Sequence, residues 1–326
     1  MIDSLIFFLN NGYMPWYNVV KNFNDWETEI LHSFSQKEWE LLIEELRIDR
    51  TSNKSVIKRL VMQFSDSFLE KILFQLHNAL NKNAIDALVE RFGRVADITK
   101  RSTYHSFWEQ AITVALNATN ENDFTIELIK KLNEVIEFKE NKEGAELKEN
   151  KNKRKDESVD EEFFTENCGI VILHPFLLMY FQELGLLQDN GFINTEMQYR
   201  AVLLLYYLST GQTQAPEYNL LLEKLLCAVD FDEPIPNYIE LTGKEKEESA
   251  NLLKSVTQHW KPLNGTSAEG LQSSFFQREG KLIKKENGWV LPVEQKTIDI
   301  LLDKLPWGIG TVKLPWMKEI LNVEWF

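Results

Sequence analysis

Apolar residues recur at helical spacing through the first 138 residues. Trp39, Leu42, Ile43 and Leu46 fall on one helical face, as do Ile57, Leu60, Val61 and Phe64. The same period returns at Leu69, Ile72, Leu73 and Leu76, at Ile85, Leu88, Val89 and Phe92, and at Leu128, Ile129, Leu132 and Ile136. Ser35 and Glu38 have capping-box spacing, and Phe34 and Trp39 occupy hydrophobic-staple positions, so a helix is predicted to start at Ser35. Short polar connections between these segments fit helical hairpins.

Further along, Pro175 suits the first turn of a helix running from His174 to about Leu184 and stopping at Gly185. Asp189-Asn190-Gly191 reads as a turn. Helices are predicted near 197–209, 217–228 and 245–260, and Thr266 with Glu269 offers a capping box before Leu271 and Phe275. The period then changes. Lys281-Leu282-Ile283 and Trp289-Val290-Leu291 flank Glu286-Asn287-Gly288, a β-hairpin signal. Residues 322–326 read as a short strand able to pair with that hairpin, and 298–305 between them as helix. The fold class expected is therefore mainly α and multi-helical, with a small β-hairpin or short sheet near the C-terminus.

Between residues 139 and 162 most positions are charged, with both signs interleaved. Such a stretch buries too little apolar surface to offset chain entropy and reads as a flexible linker. It divides the chain into a helical domain at 1–138 and a second at 163–326 carrying the hairpin. Residues 5–12 also echo residues 204–211. Both are apolar helix ends closed by a glycine, which suits either a common cap or two related helical units.

Composition narrows the function. The 326 residues are 44% hydrophobic and 12% aromatic, enough for packed cores. A net charge of -14 argues against a nucleic-acid-binding surface, and the one basic run, Lys151 to Lys155, sits inside the mixed-charge segment. Cys168 and Cys227 lack metal or redox spacing and read as small buried side chains. No stretch has the ~20 apolar residues of a membrane span, and the start carries no secretory pattern. The longest apolar run, Ala201 to Leu208, reads as a buried helix.

Catalytic constellations are not evident. None of the five histidines falls in a metal or triad pattern. His174 reads as a capping or buried histidine, and His259 as one favoured by a helix C-terminus. The acidic residues Asp230, Asp232 and Glu233 lack the glycine and distal glutamate of a calcium loop. No cofactor or metal is expected, and the chain is read as a non-enzyme.

A recurring tripeptide stands out instead. Met14-Pro15-Trp16, Leu305-Pro306-Trp307 and Leu314-Pro315-Trp316 each set an aliphatic residue, a proline and a tryptophan in line. Proline fixes its own φ and holds its predecessor extended, so the indole direction is set locally. Such an indole suits an inter-element core plug or an interface anchor. Pro15, Trp16, Trp307, Pro315 and Trp316 are the candidate protein-interaction residues.

Several blocks together resemble the tape measure proteins of contractile injection systems. They are His174-Pro175-Phe176 through Leu184-Gly185-Leu186, Arg200 to Leu204 with Tyr207 to Gly211, and Pro216-Glu217 with Leu225-Leu226-Cys227. His259-Trp260 with Leu263, and Thr266-Ser267 before Gly270-Leu271 and Phe275 to Arg278, follow in order. The most specific block is the end: Leu301 to Gly308, Leu314-Pro315-Trp316-Met317, and Val323-Glu324-Trp325. Upstream, Leu9, Gly12, Pro15 and Trp16 are similar to an earlier family block. The blocks cover most of 165–326, while 1–138 rests mainly on that single one.

The resemblance implies a structural role in building a phage-tail-like particle. It implies tube or sheath length control or tube–baseplate anchoring, with the inner tube and baseplate hub as partners, assembly in the cytoplasm and release in an extracellular particle. The chain starts almost at the upstream block, so a short variant or a truncated start is expected. A wholly helical chain of this length would reach about 490 Å, whereas a compact one is about 50 Å across. Caps, turns and hairpin favour the compact form and hence an end-anchor or adaptor, or a chain that extends only inside the tube. Readings from other classes are a helical adaptor or chaperone-like module unconnected with length, and an enzyme with an unrecognised site.

Overall fold

In the computed structural model, the described residues are 1–18, 20–48, 53–77, 87, 90, 101–118, 123–128, 130–131 and 161–325. They belong to two compact units, residues 1–156 and 157–326. Residues 139–160 of the expected linker lie outside the described residues, and its last residue, Glu162, opens a strand.

The regular elements described in the first unit are all helices. Its helices are α1 (Ile2–Asn11), α2 (Phe23–Ser33), α3 (Gln36–Ile48), α4 (Asn53–Gln63), α5 (Asp66–Leu76) and α6 (Arg101–Asn117). The start of α3 follows its sequence signature. Glu38 accepts the Ser35 N–H at 2.8 Å, and Phe34 meets Trp39 edge-on with centroids 5.4 Å apart. Asn22 caps α2 and Ser65 caps α5. Phe8, Phe23, Trp26 and Phe64 pack with centroids 5.0 to 6.3 Å apart at the core. The buried Arg59 guanidinium donates to the Leu9 carbonyl at the end of α1. Of the helix expected at 85–92, only residues 87 and 90 are described, both helical; the one through Leu128 and Ile136 is described no further than residue 131.

The second unit combines helices with a mixed sheet. After β1 (Glu162–Thr165), a fully buried 3-10 helix (Cys168–Leu173) leads into α7 (His174–Glu183). The turn expected at 189–191 forms and closes a small hairpin of β2 (Leu187–Gln188) and β3 (Gly191–Phe192). Then come α8 (Thr195–Thr210), a 3-10 turn (Glu217–Asn219), α9 (Leu221–Leu226), α10 (Gly243–His259) and α11 (Ala268–Leu271), which runs on into a π-turn (Gln272–Phe276). Ser267, not Thr266, caps α11: its hydroxyl accepts from the Gly270 N–H at 3.1 Å. The cap lies one residue later because Ser267, in extended geometry, is where the chain turns into the helix. Thr242 and Glu245 supply a capping box for α10 that the sequence reading did not single out.

The expected hairpin forms from β4 (Gly280–Lys285) and β5 (Gly288–Pro292). The C-terminal strand β7 (Leu321–Glu324) pairs with β5 in parallel. A parallel partner needs a crossover, and residues 293–320 provide it. The helical stretch in that crossover is a 3-10 helix, Thr297–Lys304. Two further strands join, β1 beside β4 and β6 (Thr311–Val312) beside β7, giving the order β1-β4-β5-β7-β6. Leu282, Leu291 and Leu321 are fully buried on the sheet.

Gly12 and Gly211 close α1 and α8 identically, at φ 82° and 75°, with their N–H groups on the Phe8 and Tyr207 carbonyls at 2.8 Å. The echo extends no further than this cap, since the second unit builds a sheet and the described first unit has no strand.

Candidate functional site

The tryptophans of the second unit tie its distant segments together. Trp307 donates its indole N–H to the Ile172 carbonyl at 2.9 Å and meets Phe176 edge-on at 4.9 Å. Trp316 donates to the Leu226 carbonyl at 2.8 Å, with Phe192 and Phe181 rings at 5.0 and 5.7 Å. Trp260 bonds the Leu301 carbonyl at 3.0 Å, and Trp325 bonds Asp299 at 3.1 Å. The crossover and last strand are thus fixed onto the helical layer by indoles that are apolar on the ring and polar at the tip. Each proline acts as its position suggests: Leu314 and Met317 close a tight turn around Pro315 and Trp316, with N to O 3.0 Å.

The sequence-selected residues therefore occupy different settings. Trp307 and Trp316 are half-buried with internal bonds, whereas Pro315 is exposed. In the first unit Pro15 is buried, and the next two side chains project outward, Trp16 82% and Tyr17 59% exposed, edge-on to each other at 5.7 Å. The motif does not bring its three copies to one place within the second unit, where only two of them lie.

Buried charge is the feature the motif search missed. Lys224 Nζ sits 2.6 Å from Glu217 Oε1 and also donates to the Phe231 and Glu233 carbonyls at 2.9 Å. All three ammonium protons are thereby used, the arrangement that makes a buried lysine tolerable. Arg278 donates to Asp299 at 2.8 Å; the other Asp299 oxygen accepts from Trp325 and from the Lys296 N–H. Arg200 forks onto Glu245, with Nη2 to Oε2 2.6 Å. Burial opposes the Glu245 charge, yet the Arg200 and Thr242 bonds hold its carboxyl below the usual range. The sequence signal was present: Glu223 and Lys224 interrupt the apolar run Leu220 to Leu226, where charges have no water to face.

Glu223 is the exception among these. It is wholly buried, neither oxygen has a well-formed hydrogen bond, and burial pushes its carboxyl up to about 8, only partly offset by Asn167. At neutral pH it is a neutral acid. Burial, with the Glu223 carboxyl nearby, also pushes the Cys168 and Cys227 thiols far above their ordinary value. Both cysteines are inert packing groups of the kind expected. Burial holds His174 below its ordinary value, its Nδ1 lying 3.0 Å from the Val171 carbonyl, so the ring is a neutral fastener at the helix entrance. Among the described residues no cluster of His, Cys, Asp and Glu has a metal-holding arrangement, and no helix is long and apolar enough to cross a membrane.

No curated protein and no solved structure matches the chain. One family model does, described as contractile injection system tape measure protein, over residues 1–325. The match runs through the first unit as well as the second, beyond the region where the motif blocks are dense. Since that match takes in nearly the whole chain, the chain belongs to the contractile injection system tape measure protein family.

Proposed function

We propose that this chain acts as a folded, non-enzymatic adaptor that anchors the inner tube to the baseplate hub during assembly of a phage-tail-like injection particle. The observation that carries the reading is the cross-fastening of the second unit. Its chain end lies between β5 and β6 of the sheet, and Trp307, Trp316 and Trp325 bond three separate segments. Extending such a unit along a tube means exposing its packed apolar core, Leu282, Leu291, Leu321, Phe275 and Phe276 among it, at about 1.5–3 kcal/mol for each fully buried side chain. Folded, a unit of this size spans about 40 Å, which suits an end-piece better than a ruler. On this reading assembly takes place in the cytoplasm, the adaptor leaves the cell within the particle, and the docking contacts draw on Trp16 beside Pro15 and on the exposed margin around Pro315, Trp316 and Trp307.

Two strains test it by electron microscopy of purified particles. Deleting the chain is expected to leave tubes without completed baseplates. Lengthening residues 139–160 with extra repeats of the same mixed charge is expected to leave particle length unchanged. Normal particles after deletion would overturn the reading, and length growing in proportion to the insertion would replace the adaptor with a ruler.

A further inference from the structure

β1 lies at the edge of the five-stranded sheet, and no described strand pairs with its outer side. The Lys284 N–H donates to the Glu161 carbonyl at 3.1 Å, and Phe163 and Thr165 stand opposite Leu282 and Gly280. Antiparallel pairing alternates, so Phe163 and Thr165 turn their backbone groups to β4. Glu162 and Phe164 turn theirs away, and no described backbone group pairs with them. The opposite edge, β6, is only Thr311–Val312. Phe164 is 58% exposed, with Lys281 Nζ 4.9 Å over its ring.

The charges around this edge select what can pair with it. Glu161, Glu162, Glu166 and Glu279 are all exposed there, and Lys281 pairs with Glu162 at 3.0 Å. Partial burial, then repulsion from Glu279, raises the Glu166 carboxyl. A second copy pairing edge to edge would set glutamates against glutamates, which opposes self-association. The geometry points to β1 as the docking edge for an extended, lysine- or arginine-bearing strand of a partner protein, which adds to the sheet by main-chain bonds at Glu162 and Phe164. Main-chain bonds supply the affinity in this mode, and alternate side chains the selectivity. The identity of that partner as a particle component rests on the adaptor reading.

The test uses the full chain and short synthetic peptides alternating lysine with valine or glutamate with valine. At saturating lysine peptide, hydrogen exchange at the Glu162 and Phe164 amides is expected to slow about tenfold or more. The E162K/E166K double variant is expected to bind the lysine peptide about tenfold more weakly and to favour the glutamate peptide. Unchanged exchange at both amides, or equal protection by both peptides, overturns the proposal. In the deletion strain, the Phe164→Pro chain loses the outward N–H and the exposed ring under Lys281 but no bond to β4, a change an edge strand tolerates; it is expected to restore no more particles than the empty strain. If it folds with an unchanged Tm and restores particles fully, β1 is not the docking edge while the adaptor reading stands; if deletion itself leaves particles normal, the adaptor reading falls. Should Phe164→Pro unfold the unit, E162K/E166K carries the same comparison.

Discussion

Lys224 and Glu217 meet 2.6 Å apart with neither side chain exposing any surface. The lysine is the hub, because its other protons bind the Phe231 and Glu233 carbonyls and so hold the loop after α9. Removing either charge strands the other away from water. Lys224→Met is expected to cost about 3–5 kcal/mol, seen as a lower midpoint in urea unfolding of the chain. Adding Glu217→Leu to it should recover part of that loss; a double variant worse than Lys224→Met alone would contradict the account.

Trp316 and Trp16 separate packing from docking. Trp316→Phe keeps a ring against Phe192 but gives up the N–H bond to Leu226, for an expected loss of about 1 kcal/mol or more. Trp16, 82% exposed, contributes little to the fold, so Trp16→Ala should leave stability within about 0.5 kcal/mol. If Trp16 docks a partner, the same variant should lower the fraction of chain that co-purifies with particles. Thermal unfolding and particle pelleting read the two effects independently.

Glu223 sets a pH dependence with a definite sign. Its carboxyl titrates near 8 in the folded unit and near 4.5 as an ordinary glutamate, so between these values the folded state holds the extra proton. Its contribution is fully present below about 4.5 and is lost as pH rises through about 8. Glu223→Gln, which imitates the neutral acid, should remove a slope of up to about 1.4 kcal/mol per pH unit and be more stable than wild type at pH 8. Denaturant midpoints for the two proteins across that window, if parallel, would refute it.

Gly169 is required by a close approach. A Cβ there would lie 1.7 Å from the Phe275 carbonyl oxygen, where the buried 3-10 helix crosses the π-turn. Backbone meets backbone, so no rotamer change relieves the clash. Gly169→Ala is expected to cost more than about 4 kcal/mol or to abolish soluble expression. A variant with near-normal Tm would show that the crossing is looser than the structure has it.

Helix positions were legible because they depend on local chemistry. Ser35 with Glu38, Pro175 at the first turn, and Gly185 and Gly211 at φ 70° and 75° each mark a boundary within a few residues of chain. The β4–β5 hairpin was equally legible, since Glu286 and Asn287 form the connection between two apolar segments. Strands β1 and β6 were not. Phe163 and Thr165 lie at the margin of the charged stretch, and only pairing with residues more than a hundred positions away makes them a strand. Among the candidate interaction residues, the local direction of each tryptophan was readable, but its destination was not. Ile172 and Leu226, the acceptors for Trp307 and Trp316, lie far from them in sequence.

By itself, the sequence determined the helical period, the Ser35–Glu38 start and the glycine stops, the hairpin, the buried cysteines and the family, since each is written in neighbouring residues or in ordered motifs. Tertiary structure alone decided which tryptophans are fasteners and which is exposed, where Lys224 and Arg278 find their partners, and that β1 lies at the edge of the described sheet. The physical reason is range: capping and periodicity act over a turn or two, whereas burial, ion pairing and sheet order depend on which distant segments exclude water from one another.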